Sequence, residues 1–586
     1  MALLVQKFGG TSVGNVKRIQ AVAQRIATSK ELGNELVIVV SAMGQTTNEL
    51  TKLACSISNN PPQREMDMLL STGEQVSIAL LSIALNELGI SAKSMTGSQV
   101  GIVTESSHGR ARILEIKTER IRNLLDQGKV VVIAGFQGTS LGSGGTAEIT
   151  TLGRGGSDTS AVALATALKA NACEIYTDVS GVLTTDPRLV PNAKLMKNIT
   201  CDEMLELASL GASVLHPRAV ELARNYGIQL IVRSSLNNEP GTTLTSNAKR
   251  LLGKEGLELS RPVDGLELLE NQSILGLSHI PDKPGIAADL FEKLSNGGIN
   301  VDLIIQSTHE GNSNDITFTV RNEELNQAKQ LCDDFIHQIG GEITTQSEMT
   351  KISIRGAGIM GRPGIAARLF ETISKAGINL RLIATSEVKV SCVIDAKYGT
   401  KALRSVSEVF ELNEKQIDIN PPNTGHGEPE VSGVALDPNQ VQVSVINVPD
   451  VPGTAGNLCR VLADSGITID TIVQSERKHL SGGRNISFTI EKNDRKNAGI
   501  AIQSLLNKWT GSKIKDGSAI SRISAVGAGM PSTTGTAGKM FRAIAEAGIN
   551  IKMIATSEIR TTCIVPENDG ISALKAVHKC FELDNI

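Results

Sequence analysis

The second half of this chain is written twice. "VDGLELLENQ" from Val263 returns as "VSGVALDPNQ" from Val431, and "GINVDLIIQS" from Gly298 returns as "GITIDTIVQS" from Gly466, each 168 residues on. "GINLRLIATSEVKVSCVI" (377–394) returns as "GINIKMIATSEIRTTCIV" (548–565), 171 residues on. Each block is itself double, since Gly285 of "KPGIAADLF" is answered 79 residues later by Gly364 of "RPGIAARLF". Self-similarity at a fixed period marks a repeated supersecondary unit. Within a unit the pattern runs strand, Gly/Pro loop, amphipathic helix, GIN turn, two strands, helix, strand, which is the ferredoxin-like βαββαβ arrangement. The glycine before "IN" suits a helix C-cap, where a left-handed backbone costs little. The sequence therefore predicts four copies in A-B-A-B order, at 263–345, 346–419, 431–516 and 517–586. "NPPNTGHGEPE" (420–430) reads as a linker between two tandem pairs.

Composition narrows what such a chain can serve. A formal net charge of -3 with no basic run offers nothing to a polyanion or an acidic membrane. Aromatic content of 2% leaves little base-stacking surface, so nucleic-acid binding is not expected. Eight cysteines without a CxxC pair argue against a zinc ribbon or disulfide framework, and no metal site is predicted. The start "MALLVQKFGG" has no charged-then-apolar signal, and the longest apolar run, "VSIALLSIAL", is short of a membrane span. The expectation is a soluble, cytoplasmic protein.

The first 245 residues have a different texture. Strand-like runs ("LLVQKF", "LVIVVSA", "VVVIAGF", "EIYTDV", "QLIVRSS") alternate with amphipathic stretches such as "NVKRIQAVAQRIATSK". This alternation predicts one α/β domain over 1–245, its mostly parallel sheet covered by helices on both faces, with 246–262 as a polar linker. Its strand ends carry chemistry. "KFGGTSVG" puts Lys7 before glycines whose backbone N–H groups can approach an anion. "VSAMGQTT" offers Ser41 and Thr47, "STGE" places Glu74 at an expected helix start, and "GRGGSDT" brings Arg154, Ser157 and Asp158 before a helix. Open α/β sheets bind ligands at the C-terminal ends of their strands, so these loops are expected to share one cleft. "TDVSGVLTTDPR" reads as either a surface loop or a nucleotide-holding segment.

In this order and spacing, "KFGGTSVG", "VSAMG", "STGE", "GRGGSDT" and "TDVSGVLTTDPR" resemble the catalytic domain of the aspartate kinase family, of the amino-acid kinase fold. The four C-terminal units resemble ACT domains, small modules that bind amino-acid effectors. The resemblance implies phosphorylation of the β-carboxylate of L-aspartate by ATP with Mg2+. It makes Lys7 and Asp158 catalytic, gives Ser41, Thr47, Glu74, Arg154 and Ser157 to aspartate, and gives Lys7, Phe8, Gly9, Gly10, Thr177, Asp178, Leu183, Asp186 and Arg188 to the nucleotide. Three positions depart from the usual family pattern: Ser213 where many relatives have Lys, Ser180 where they have Asp, and Leu183 where they have Tyr.

The resemblance further implies feedback inhibition by lysine or threonine, and association of chains into a homodimer or larger assembly through the ACT sheets. The A units keep matching sets that suit effector binding: Asp282, Gly285, Ala287, Asn300, Asp302 and Gln306, then Asp450, Gly453, Ala455, Thr468, Asp470 and Gln474. Ser386–Glu387 and Ser557–Glu558 of the B units read as supporting elements. Two other functions stay open on sequence alone: a kinase of the same fold acting on a glutamate-like carboxylate, and an amino-acid sensor with an inactive kinase domain.

Overall fold

The computed structural model describes residues 2–141, 147–211, 214–246, 256–258, 262–308, 313–359, 362, 364–422, 425, 427–474 and 482–585. Ser213 lies outside the described residues. The chain divides into two compact units, one of 1–183, 195–208 and 212–260, the other of 184–194, 209–211 and 261–586.

In the first unit, continuous β-branched runs give wholly buried strands, and an eight-stranded sheet results. Its order is Asn198–Thr200, Thr242–Thr245, Leu230–Ser234, Ala172–Thr177, Leu3–Phe8, Glu35–Val40, Val130–Ala134, Ala92–Met95. Neighbours run parallel throughout, except where Leu230–Ser234 meets Thr242–Thr245. Leu3–Phe8 sits centrally, with Lys7 level with Val39 on one side and Ile175 on the other. The strands ending at Phe8, Val40, Ala134 and Thr177 thus deliver their loops to one edge. Part of the expected linker is built into this unit: Leu257 and Glu258 donate backbone hydrogen bonds to Leu114 and Ile113, and Arg218 clasps the buried Glu258 carboxylate.

The longest helix of this unit, Gln63–Glu87, is apolar and long enough by composition to cross a membrane. It carries Asp67, Ser71, Glu74 and Ser77 on its buried positions, however, which is the signature of a helix that packs against a polar site.

The second unit is one sheet of thirteen strands plus helices. Four strands are unusually long, Gly265–Pro281, Glu342–Arg355, Gly433–Val448 and Lys513–Val526, and each serves two ACT units. In the first of them, register shifts between Leu269 and Ile274 mark the change of partners, as expected of a β-bulge. Leu266–Leu268 pairs with Ile352–Ile354 and Ile417–Ile419 in the second ACT unit, while Gln272–Leu277 pairs with Ile316–Arg321 in the first. The first ACT unit is therefore nested inside the second, and the third inside the fourth in the same way.

Neighbours in sequence are not the side-by-side partners. Ile304–Thr308 of the first unit pairs antiparallel with Met553–Thr556 of the fourth, and their helices Ile286–Asn296 and Thr536–Glu546 pack together. The second and third meet likewise through helices Ile365–Lys375 and Thr454–Asp464. The cores follow suit: one cluster joins Leu275, Phe291 and Phe318 to Phe541 and Leu574, and another joins Phe370 and Ile383 to Leu458 and Phe488. All four strands after the GIN turns contribute to a shared cluster containing Ile305, Leu382, Ala384, Val473, Met553 and Ala555. Association between chains was expected through the ACT sheets, and two of these strands, Ile304–Thr308 and Met553–Thr556, already pair edge to edge inside the chain.

Charge accounts for part of this choice of partner. Glu292 of the first unit receives Arg542 of the fourth in a two-pronged pair at 2.8 and 2.6 Å. At the equivalent positions the signs are exchanged, with Arg460 of the third unit on Glu371 of the second at 2.7 and 2.9 Å. Tandem pairing would oppose Glu292 to Glu371 and Arg460 to Arg542. Each pair is partly exposed and worth at most about 1 kcal/mol, but the like-charged alternatives are disfavoured on top of that.

The B-unit phrase "IATSE" explains itself in this geometry. Glu558 of the fourth unit reaches Lys389 (2.5 Å) and Lys351 (3.3 Å) of the second, while Glu387 of the second faces Arg560 of the fourth at 3.6 Å. Burial would raise the Glu558 pKa, but Lys389 and Lys351 hold it down to about 2. The repeated glutamates are crossed struts between the two B units.

Candidate active site and effector clefts

Lys7, buried in the central strand, meets Asp158 at 2.5 Å. Asp158 stands in the first turn of the helix Gly156–Leu168, whose N-cap Gly155 has φ 65°. A side chain on Gly155 would strike the His216 ring, which lies only 2.1–2.3 Å from that position, so the turn must be glycine. Gly9 donates its N–H to the Tyr176 carbonyl, and a Cβ on it would lie 3.5 Å from Lys7 Nζ. Gly10 passes the next strand end so closely that a Cβ there would sit 2.8 Å from the Ala42 carbonyl oxygen. The Phe8 ring is wholly buried, stacked 4.7 Å from Tyr176, so only its backbone can serve a ligand.

Glu74 lies mid-helix and not at a helix start. Gly73 lets that helix close on Ala42, since a Cβ there would come within 2.8 Å of the alanine methyl. Glu74 Oε1 then accepts the Ala42 N–H at 3.0 Å, while the buried Oε2 has no partner. Burial pushes its pKa up to about 7, against the Ala42 hydrogen bond, which lowers it. Ser41 and Thr47 are half-buried nearby in sequence, Ser157 is buried against Gly135, and Arg154 is exposed. Lys7, Gly9, Gly10, Glu74 and Asp158 are thus brought to one edge of the sheet.

Thr177 ends the strand Ala172–Thr177 in the first unit, and Asp178 and Leu183 follow it, Asp178 being exposed. Asp186 and Arg188 belong to the second unit and are occupied with each other, the Arg188 guanidinium hydrogen bonds keeping the Asp186 pKa low. There the Thr184 hydroxyl and His578 Nε2 are 3.0 Å apart, and Val190 joins the core of the first and fourth ACT units.

Sequence reading missed two groups. His216 packs on Gly155, and its only cue was the "HP" that opens the helix Pro217–Tyr226. Asp67, fully buried, accepts from the Gly109 N–H, from the Thr151 hydroxyl at 2.5 Å, and pairs with His108 at 2.8 Å. It ties the loop at Gly109 against Gly153, beside Arg154, where a Cβ would meet the Gly109 carbonyl at 3.0 Å.

Comparison with known proteins places this geometry. Residues 2–234 match the amino acid kinase family, and 274–334, 352–410, 441–507 and 523–581 match ACT domains. The aspartokinase of Geobacillus stearothermophilus is 49% identical over 419 residues, which is 72% of this chain and 100% of that protein. The chain belongs to the aspartokinase family. Thermus thermophilus aspartokinase is 49% identical over 416 residues, 71% of this chain and 100% of its own length. The crystal structure of aspartate kinase from Synechocystis has 51% identity and a TM-score of 0.88, covering 100% of this chain and 99% of that one. As an aspartokinase, the protein phosphorylates aspartate with ATP, at the entry to lysine, threonine and methionine synthesis, under allosteric control through its ACT units.

Two clefts in the second unit suit that control. One lies between the first and fourth ACT units, lined by Gly285, Ala287, Gln306 and Asn314 with Asn550 and Ile551. At its edge Asp282 accepts from the amides of Asn314 (2.8 Å) and Asn550 (2.7 Å). The buried carbonyl oxygens of Gln306 and Asn314 have no partner, leaving acceptors for an ammonium or hydroxyl. Asn300 does not line this cleft, and Asp302 turns away to Lys351.

The other cleft lies between the second and third units. Its lining includes Gly364, Ser386, Glu387, Thr468 and Asp470. Buried Ser386 Oγ there has no partner. Ser386 and Glu387, expected only to support, are cleft residues, whereas Asp450, Gly453, Ala455 and Gln474 do not line it.

Proposed function

We propose that aspartate enters with its ammonium on Glu74 Oε2, its α-carboxylate on Arg154 and its β-carboxylate toward Lys7. The unpartnered, buried Glu74 oxygen carries this reading, since a cation is the partner it lacks. Ser41, Thr47 and Ser157 add hydrogen bonds. Lys7 and the N–H of Gly10 take the transferring phosphate, with Gly9 leaving room beside the Lys7 ammonium and magnesium arriving as the ATP complex, its phosphates supplying most of the ligands. The attacking group is already a carboxylate, so no general base is required. Its oxygen bonds to the γ-phosphorus as the bond to the ADP oxygen breaks, and the protein's task is positioning and charge neutralisation. Asp158 holds Lys7 in place, and His216 holds the Gly155 turn that presents Asp158. Thr177, Asp178 and Leu183 serve the nucleotide.

A carboxyl group that titrates near 7 gives this reading a pH signature. Below that value the empty site holds a neutral Glu74 that cannot pair with an ammonium. Aspartate affinity measured by calorimetry should therefore fall up to about tenfold per pH unit between pH 7 and 5.5. The β-carboxyl of aspartate, near 3.9, does not titrate in this window. Glu74→Gln should bind weakly with no such slope. A flat profile for the natural protein would overturn the assignment of Glu74.

Lysine and threonine are the proposed effectors of the two clefts, carboxylate toward the helix N-terminus at Gly285 or Gly364 and ammonium toward the acids opposite. A homodimer or larger assembly is proposed as well, through ACT surfaces other than the two edges already paired within the chain. Eight free cysteines support a reducing, cytoplasmic setting.

A further inference from the structure

The two A-type loops look alike in sequence, yet their acids are in different company. In the first ACT unit Ile280 stands opposite Asn314 across the sheet, and in the third Val448 stands opposite Arg484, so Asn314 and Arg484 occupy the same place in the fold. Asn314 gives Asp282 a neutral amide. Arg484 gives Asp450 a full charge, with Nε 3.0 Å from the carboxylate and side chains 2% and 8% exposed. Asn379 supplies the amide that Asn550 supplies in the other lobe, at 3.1 Å. The glycine of the loop differs in the same sense. Nothing lies within 4 Å of a Cβ placed on Gly285, whereas Ser374 Oγ stands 3.0 Å from one placed on Gly453.

We infer that Arg484 fills, from within the chain, the position an effector's amino group would take beside Asp450, so that the loop at Asp450, outside the cleft at Gly364, binds no amino acid while its counterpart at Asp282 does. An incoming ammonium would have to expel a guanidinium that is buried and has its own carboxylate, leaving that charge stranded. The sensor is then asymmetric by one residue: where Asn314 leaves an amine pocket, Arg484 closes it. Arg484→Asn should open a site for a small zwitterionic amino acid, with Asp450 as its amine acceptor.

This inference rests on the Asp282 cleft being an effector site, and the two are separable by titrating the full-length protein with L-threonine and with L-lysine in a calorimeter. Asp282→Asn should remove one binding event per chain, and unchanged stoichiometry there would overturn the reading of that cleft alone. Asp450→Asn should leave the stoichiometry of the natural protein as it is. Arg484→Asn should gain one event for at least one of the two amino acids, and adding Asp450→Asn to it should remove that event. Loss of an event in Asp450→Asn alone would overturn the inference, as would a folded Arg484→Asn protein that binds no more of either amino acid. Should Arg484→Asn fail to fold, the Asp450→Asn stoichiometry decides the matter.

Discussion

Replacing Lys7 by alanine should lower kcat for aspartate phosphorylation by at least roughly 10²–10³, or about 3–4 kcal/mol of transition-state stabilisation. Phosphoryl transfer from ATP to a carboxylate crowds negative charge into one place, and Lys7 is the cation built into the centre of the sheet to meet it. Its removal also leaves Asp158 buried without its 2.5 Å partner, so the anionic site would become more anionic. Lys7→Arg keeps the charge but not the length, and should recover only part of the loss. The measurement is initial-rate ADP release with saturating aspartate, alongside a melting curve to show that the fold survives. A Lys7→Ala enzyme within threefold of natural kcat would remove Lys7 from the reaction.

The second large effect lies in the regulatory half. Glu558→Ala should leave Lys351 and Lys389 facing each other with one shared acid gone. The Glu558 side chain is 37% exposed, so solvent screens part of its interaction, and the cost is below that of a fully buried pair. About 2–4 kcal/mol is expected, or roughly 4–8 °C in the unfolding midpoint of the second unit. The sign of the pH dependence follows from the shifts. Glu558, held down to about 2, contributes stability above the ordinary glutamate value and loses it as acid brings the pH through that range. Burial works to lower the Lys351 pKa, but Asp302 and Glu558 raise it above its ordinary value, so its contribution is complete at neutral pH and is lost in strong alkali. In Glu558→Ala both dependences should flatten, and equal midpoints for the two proteins at pH 7 would overturn the strut.

How far the sequence carried these conclusions depends on what kind of question each residue answers. "LLVQKF" and "VVVIAGF" are apolar on both faces and became buried parallel strands, Leu3–Phe8 and Val130–Ala134, because nothing else buries them. Gly10 was legible because close backbone approach, here to the Ala42 carbonyl, needs glycine. Glu74 was misplaced at a helix start because Gly73, which precedes it, is the point where a 25-residue helix touches Ala42. Repeats betray kinship and say nothing of neighbourhood, so the A-B-A-B order suggested tandem pairs where the structure joins first to fourth and second to third. The clue was nonetheless present, in Glu292 and Arg460 at one repeated position and Glu371 and Arg542 at the other. Asp450 misled in the opposite way, matching Asp282 in the loop while the residue that silences it sits 34 positions on, at Arg484.

The pairing of Ile304–Thr308 with Met553–Thr556 carries a consequence for how such a sensor holds together. A chain with a single block would have to find that partner strand in a different molecule, and its regulatory half would come apart on dilution. Here donor and acceptor edges are joined by the same backbone, at an effective concentration set by the connecting chain and not by the cell. Duplication has turned an encounter between molecules into a fold, so the number of effector clefts per kinase is fixed when the chain is synthesised.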